Sequence, residues 1–225
     1  MLAAAIQMNS RDDKEENLRS AERLIDIAAQ KGAKLAVLPE MFNFLGPGEL
    51  KPLEAEEIPG PTIQRMAQKA VEHRIYIVSG SILEKSQVPG KVYNTSVLID
   101  PRGQVAARYR KMHLFDVVVE GQPPYEESAT VLPGDEAVAA DAEFGTIGLT
   151  ICYDLRFPEL YRAVTHRGAR IISIPAAFTL HTGLAHWEVL VRARAIDKGK
   201  SAAATQLTHR LRLNCGRREM RATTR

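Results

Sequence analysis

Three residues of this sequence belong to the types that cooperate in acyl transfer: Glu40, Lys111 and Cys152. Cys152 stands in Gly148-Leu149-Thr150-Ile151-Cys152-Tyr153-Asp154-Leu155-Arg156-Phe157-Pro158-Glu159, where an apolar run gives way to polar and charged residues. A thiol with an ordinary pKa of about 8.5 is mostly protonated at neutral pH. To act as a nucleophile it needs a base to take its proton or a cation to hold its charge. Glu40 closes the run Leu35-Ala36-Val37-Leu38-Pro39-Glu40 and offers the base. Lys111, in Tyr109-Arg110-Lys111-Met112-His113-Leu114-Phe115-Asp116, offers the cation, and the backbone N–H of Tyr153 offers a second donor to a developing oxyanion. Taken singly, each has a plainer reading: a small buried hydrophobe for Cys152, a surface acid or capping partner for Glu40, a solvated base for Lys111.

The elements that must position these residues follow from the pattern of apolar positions. Leu2–Met8 reads as a strand, and a helix from about Lys14 puts Leu18, Ala21, Leu24, Ile25 and Ala28 on one face, with Gly32 as its stop. Leu35–Leu38 is a short apolar strand, 61–73 a helix, and Ile75–Ser81 the next strand. Val92–Asp100 and Val105–Arg110 flank the turn signal Asp100-Pro101-Arg102-Gly103, which predicts a hairpin. Phe144–Ile151 is a strand leading into Cys152, followed by a helix over 158–167, a strand over 171–174 and a last helix over 185–196. This alternation implies an α/β sandwich with the sheet inside and helices outside. Glu40, Lys111 and Cys152 all fall at or just beyond strand ends, where α/β proteins tend to place their sites.

In order and spacing, the set Leu38-Pro39-Glu40, Tyr109-Arg110-Lys111-Met112-His113-Leu114 and Ile151-Cys152-Tyr153-Asp154-Leu155-Arg156-Phe157-Pro158-Glu159 resembles the Glu-Lys-Cys signature of the nitrilase superfamily of carbon–nitrogen hydrolases. Tyr93-Asn94-Thr95, Pro175-Ala176-Ala177-Phe178 and the stretch from Thr182-Gly183 through His186-Trp187-Glu188 to Ile196 match as well. Within the superfamily the sequence looks most like the amidases acting on deaminated glutathione, with omega-amidases as neighbours. The resemblance implies an α-β-β-α sandwich without metal or organic cofactor. It implies that Glu40 takes the thiol proton, that Cys152 attacks a terminal amide, and that a thioester forms as ammonia leaves. Lys111 and the Tyr153 N–H would hold the oxyanion. A second glutamate that orients the lysine maps to Glu127, with Glu126 as rival. Glu40 and Lys111 together are expected to draw the thiol toward the thiolate. A substrate carboxylate would need a cation, for which Arg156 and Arg110 are candidates. Phe42, Phe44, Phe115 and Phe178 either shape the pocket or fill core, so Tyr153, Arg156 and Phe178 are the expected substrate contacts. The resemblance also implies pairing of two copies through 158–167.

The 225 residues, 45% hydrophobic and 25% charged, suit one domain with one continuous core. No apolar run approaches the roughly 20 residues of a membrane span, and the N-terminus lacks the basic region of a signal peptide. Two distant cysteines, Cys152 and Cys215, make no disulfide framework and fit a reducing cytoplasm. The net charge of +3 is carried by residues 198–225, where eight Lys/Arg face the single acid Glu219. That basic stretch lacks the aromatic interleaving of a nucleic-acid binder, so no nucleic-acid partner is expected. Gly199-Lys200-Ser201 lacks the earlier glycine of a phosphate-binding loop, and His181 and His186 lack a metalloprotease spacing. His113 and Trp187 read as packing residues. After Ile196 the resemblance weakens to a strand-like echo at 201–206 and ends near Arg210. The expected layout is therefore a hydrolase domain over 1–196, short of its last strands, and a divergent, truncated or frame-shifted basic tail over 197–225. The alternative that this layout leaves open is a non-catalytic relative that only dimerises.

Overall fold

The computed structural model describes residues 1–118, 124–198 and 201–206. Among them the chain forms strands β1 (Ala3–Ala5), β2 (Leu35–Val37), β3 (Tyr76–Val78), β4 (Ile82–Lys85), β5 (Val92–Ile99) and β6 (Val105–Arg110). The short strands β7 (Asp116–Val117), β8 (Tyr125–Glu126) and β9 (Val131–Leu132) follow, then β10 (Val138–Ala140), β11 (Ile147–Leu149), β12 (Ile171–Ala176) and β13 (Ser201–Gln206). Helices are α1 (Lys14–Gln30), α2 (Lys51–Glu54), α3 (Pro61–His73), α4 (Pro158–His166), α5 (Leu180–Thr182) and α6 (Glu188–Lys198).

The strands make two main sheets. One runs β1-β2-β3-β5-β4, with β6 and β9 on the other edge of β5; the second runs β10-β11-β12-β13. Strand β2 shows how sequence places the layers. Leu35 and Val37 point into the cluster shared with Ile147, Leu149, Ile172 and Ile174 of the second sheet. Ala36 and Leu38, one residue out of phase, point to Leu18, Ala21 and Ile25 of α1 and Ile63 and Met66 of α3. Full burial of each large side chain in that α1 stripe contributes about 1.5–3 kcal/mol. Helix α4 covers the far side of the second sheet through Leu160, Tyr161 and Val164. Gly148 lets it approach, since a Cβ there would meet Val164 at 3.0 Å. The result is the α-β-β-α sandwich that the resemblance implies.

Caps fix the helices at the expected ends. Asp13 accepts from the N–H of Glu16 at 2.9 Å to start α1, and Pro61 opens α3. The hairpin forms as expected, with β5 antiparallel to β6 and Asp100 Oδ1 accepting from the N–H groups of Arg102 and Gln104. The structure divides the expected strand 75–81, because Gly80 turns at a φ of 60°. Chain 82–85 then forms β4, a strand the sequence pattern did not separate. The last expected helix starts differently too: α5 is capped by Thr179 and leads through a wide π-type turn over Gly183–Trp187 into α6. At the second sheet's edge, β13 pairs in parallel with β12 over six residues, from Ile171↔Ser201 to Ala176↔Gln206. Backbone ladder bonds hold it there although Thr205 is the one β-branched residue in the strand. No helix among the described residues is long and apolar enough to cross a membrane.

Candidate active site

Glu40, Lys111, Glu127 and Cys152 come together at the ends of β2, β6 and β11 with relative exposures of 4%, 2%, 4% and 7%. Each is fixed by its backbone. The turn after Pro39 is tight: Met41 has a φ of 53°, its N–H donates to Ser81 Oγ at 3.1 Å, and the Ser81 N–H donates to the Pro39 carbonyl at 3.3 Å. Only glycine fits at position 80, where a Cβ would stand 2.0 Å from the Pro39 oxygen. Lys111 leaves β6 with its N–H bonded to the Asn94 carbonyl at 2.8 Å. Cys152 opens a 3-10 turn, Cys152–Arg156, at a φ of 49°. A non-glycine residue in that left-handed region is strained, a condition that clusters at functional sites.

Lys111 Nζ lies 2.9 Å from Glu40 Oε1 and 2.8 Å and 3.1 Å from the two oxygens of Glu127. Asn94 Nδ2 donates to Glu40 Oε1 at 2.9 Å and to Glu127 Oε1 at 3.3 Å. The N–H of Ala177 donates to Glu40 Oε2 at 2.8 Å, and that of Phe115 to Glu127 Oε2 at 2.7 Å. The Cys152 thiol hydrogen-bonds to Glu40. Tyr153, second in its turn, keeps its N–H outside the turn's own hydrogen bonds.

Two carboxylates against one ammonium give the buried group a net charge of −1, and this sets the protonation states. Burial works to lower the pKa of Lys111, but the charges of Glu127 and Glu40 outweigh it and hold the ammonium well above its ordinary value. Burial works to raise that of Glu127, but Lys111 and the hydrogen bonds it accepts hold it below the usual carboxylate range. Burial, then the charge of Glu40, pushes the Cys152 thiol well above its ordinary value; Lys111 pulls the other way and loses. The resting nucleophile is therefore a protonated thiol facing a carboxylate. The expected pull toward the thiolate is overturned by burial and by the charge of Glu40 itself.

The remaining candidates separate clearly. Glu127 is buried on Lys111, whereas Glu126 is exposed. Arg110 is spent on the sheet: its guanidinium bonds to Glu84 at 2.6 Å and 3.0 Å and lies 3.8 Å from the Tyr93 ring centroid. That removes it as a candidate for a substrate carboxylate. Arg156 instead lies 5.5 Å from the Tyr153 ring and 5.9 Å from the Phe178 ring, with His186 at 3.1 Å. Phe178 is buried beside Cys152 in one apolar cluster and meets Trp187 edge-on at 5.0 Å. Phe115 meets Tyr153 at 5.1 Å, while Phe42 and Phe44 fill core. Cys215 lies outside the described residues, as does most of the basic stretch.

A model of the carbon–nitrogen hydrolase family matches residues 2–215. The chain belongs to that family. A protein of Synechocystis sp. called deaminated glutathione amidase is 47% identical over 199 residues, covering 87% of this chain and 73% of that one. Omega-amidase NIT2 of Homo sapiens is 43% identical over 194 residues, covering 86% and 70%. The NitFhit protein of C. elegans superposes with a TM-score of 0.81 at 35% identity, over 92% of this chain; this chain spans about half (52%) of that protein.

As a carbon–nitrogen hydrolase the chain also shows site residues that the sequence did not single out. Asn94 was visible only as part of a matching motif, though a fully buried amide inside the apolar strand β5 is itself a signal. The Ala177 N–H is a backbone group and leaves no trace in residue type. Lys51, first residue of α2, is half-buried. Burial lowers its pKa, and the charges acting on it next are those of Glu127, Lys111 and Glu40. Nothing in its local sequence points across the fold to them.

Proposed function

We propose that this carbon–nitrogen hydrolase cleaves the terminal amide bond of a small acid by nucleophilic catalysis at Cys152. The observation that carries the reading is Glu40, whose carboxylate contacts the Cys152 thiol and the Lys111 ammonium at once. The steps follow from that contact. Glu40 takes the thiol proton as Sγ attacks the amide carbon, so the neutral resting thiol becomes nucleophilic only as the bond forms. Charge passes to the carbonyl oxygen, where Lys111 and the Tyr153 N–H receive it. Glu40 then gives its proton to the departing nitrogen, which leaves as ammonia from a primary amide or as an amine from a substituted one, and a thioester remains. A water that Glu40 deprotonates attacks the thioester, and the thiol regains its proton. General base assistance of this kind is worth roughly 10²–10⁴ in rate.

Glu127 keeps Lys111 charged and in place throughout. A substrate carboxylate entering a group of net charge −1 requires cations at the mouth. Arg156, stacked between Tyr153 and Phe178 without a carboxylate partner among the described residues, supplies one; Lys51 supplies another. Two cations favour a substrate with two carboxylates, which is the chemistry of deaminated glutathione. The experiment is release of the 2-oxo dicarboxylic acid from deaminated glutathione, whose leaving group is an amine, and from the omega-amide of that acid, whose leaving group is ammonia. A higher kcat/KM for the first supports this reading; a higher value for the second assigns the site to the omega-amidase reaction. No release from either by folded protein supports a non-catalytic relative.

A further inference from the structure

Lys111 and Cys152 come from different sheets, and one side chain ties the two segments together. Tyr109 and His113 lie two residues before and after Lys111, and Asp154 lies two after Cys152. Asp154 is fully buried, at 0% exposure, and its carboxylate accepts four hydrogen bonds. Oδ2 accepts from the Tyr109 hydroxyl at 2.6 Å and from the Ile151 N–H at 2.8 Å. Oδ1 accepts from the His113 N–H at 3.1 Å and from His113 Nδ1 at 2.7 Å. The Asp154 N–H closes the turn on the Ile151 carbonyl at 3.0 Å, and the His113 ring stacks on Phe157 at 3.7 Å with 9° between planes.

We infer that Asp154, through Tyr109 and His113, is a positioning residue that sets the oxyanion-binding Lys111 against the strained turn carrying Cys152. The bonds bracket both reacting groups: three donors from two residues of the lysine segment flank Lys111, and the Ile151 donor with the Asp154 N–H flanks Cys152. Asp154 supplies only acceptors, so the donors must come to it, and the spacing between the two segments is thereby fixed. Cys152 holds its left-handed φ because the residues on each side of it are pinned. His113 is therefore more than a packing residue. A displacement of about 1 Å between groups that must act together costs about 10²-fold in rate.

The inference rests on the amidase reading, so its test needs a measure that survives without turnover. His113→Asn keeps a donor near the place of Nδ1, His113→Gln moves it outward, and both lose the ring stacked on Phe157. Tyr109→Phe removes one donor and keeps the ring. For each protein one measures kcat and KM for amide hydrolysis, the rate of Cys152 alkylation by 2-chloroacetamide mapped by mass spectrometry, and the thermal midpoint. Expected are kcat and alkylation rates about 10–100-fold lower in H113Q and Y109F, with KM within about twofold. H113N should stay within about threefold of the parent at a midpoint equal to that of H113Q. Equal rates in H113N and H113Q, or losses that follow the midpoints, overturn the inference. Should the parent hydrolyse neither amide, the amidase reading fails and alkylation alone decides: a gap between H113N and H113Q sustains the positioning role, and no gap removes it.

Discussion

Lys111 is held by Glu127 through two contacts, 2.8 Å and 3.1 Å from Nζ to the carboxylate oxygens, and by Glu40 through one of 2.9 Å. The two glutamates thus divide the work. Glu127 spends both oxygens on the lysine and the Phe115 N–H. Glu40 turns Oε2 to the Ala177 N–H, and its carboxylate also meets the Cys152 thiol.

Glu127→Gln removes the charge that secures the ammonium while keeping shape. Turnover should fall about 100-fold with little change in KM, because the loss is felt mainly when the oxyanion forms. Steady-state kinetics beside circular dichroism check this; an unchanged kcat would show that Glu40 alone suffices to hold Lys111.

Lys111→Met should abolish turnover and also unfold more easily, by about 3–5 kcal/mol, because two buried carboxylates lose the ammonium that bonds to both. Urea denaturation measures the difference. A Lys111→Met, Glu127→Gln double variant should recover part of that stability without recovering activity.

The thiol's raised pKa has a direct signature. Alkylation of Cys152 by a neutral reagent should keep rising above pH 9, where a free cysteine with its pKa of about 8.5 has levelled off. Glu40→Gln removes a charge and a hydrogen bond that help to raise the thiol, so its profile should shift to lower pH. A parent profile that levels near pH 8.5 contradicts the raised thiol.

Arg156→Leu and Lys51→Met should each raise KM for a carboxylate-bearing amide about 10–100-fold, the value of a hydrogen bond to a charged group. Neutral propionamide serves as the comparison and should be unaffected. Equal effects on both substrates would assign these cations to the fold.

Glu84 offers a prediction about stability alone. Burial works to raise its pKa, but the bonds from Arg110 and Thr95 outweigh it and hold Glu84 below its ordinary 4.5. Its contribution is therefore complete above about pH 4.5 and is lost as pH falls through the lower folded-state value. The urea midpoints of the parent and Glu84→Gln should differ at pH 7 by about 1.5–3 kcal/mol and converge toward pH 3, with kcat unchanged.

What could be read in the sequence was what repeats or stands at a strand end. The period of Leu18, Ala21 and Ile25, the proline at 61 and the turn at 100–103 carry local physics, and these elements fall where expected. Glu40, Lys111 and Cys152 were legible because an ordered spacing resembles a known signature. The rest depends on contacts between segments far apart in the chain. Arg110 looks like a free cation until β4 brings Glu84 to it. His113 looks like packing until Asp154, 41 residues on, accepts from it. The protonated thiol could not be read at all, since it follows from burial and from the nearness of Glu40, which only the assembled fold defines.

Hydrolysis of deaminated glutathione by the Cys152→Ala protein, measured beside the parent as release of its 2-oxo acid, tests the central claim most directly. Release from the parent and none above background from Cys152→Ala is the predicted result. Release that survives the loss of the thiol would contradict nucleophilic catalysis at Cys152 and return Glu40 and Lys111 to a role without a covalent intermediate.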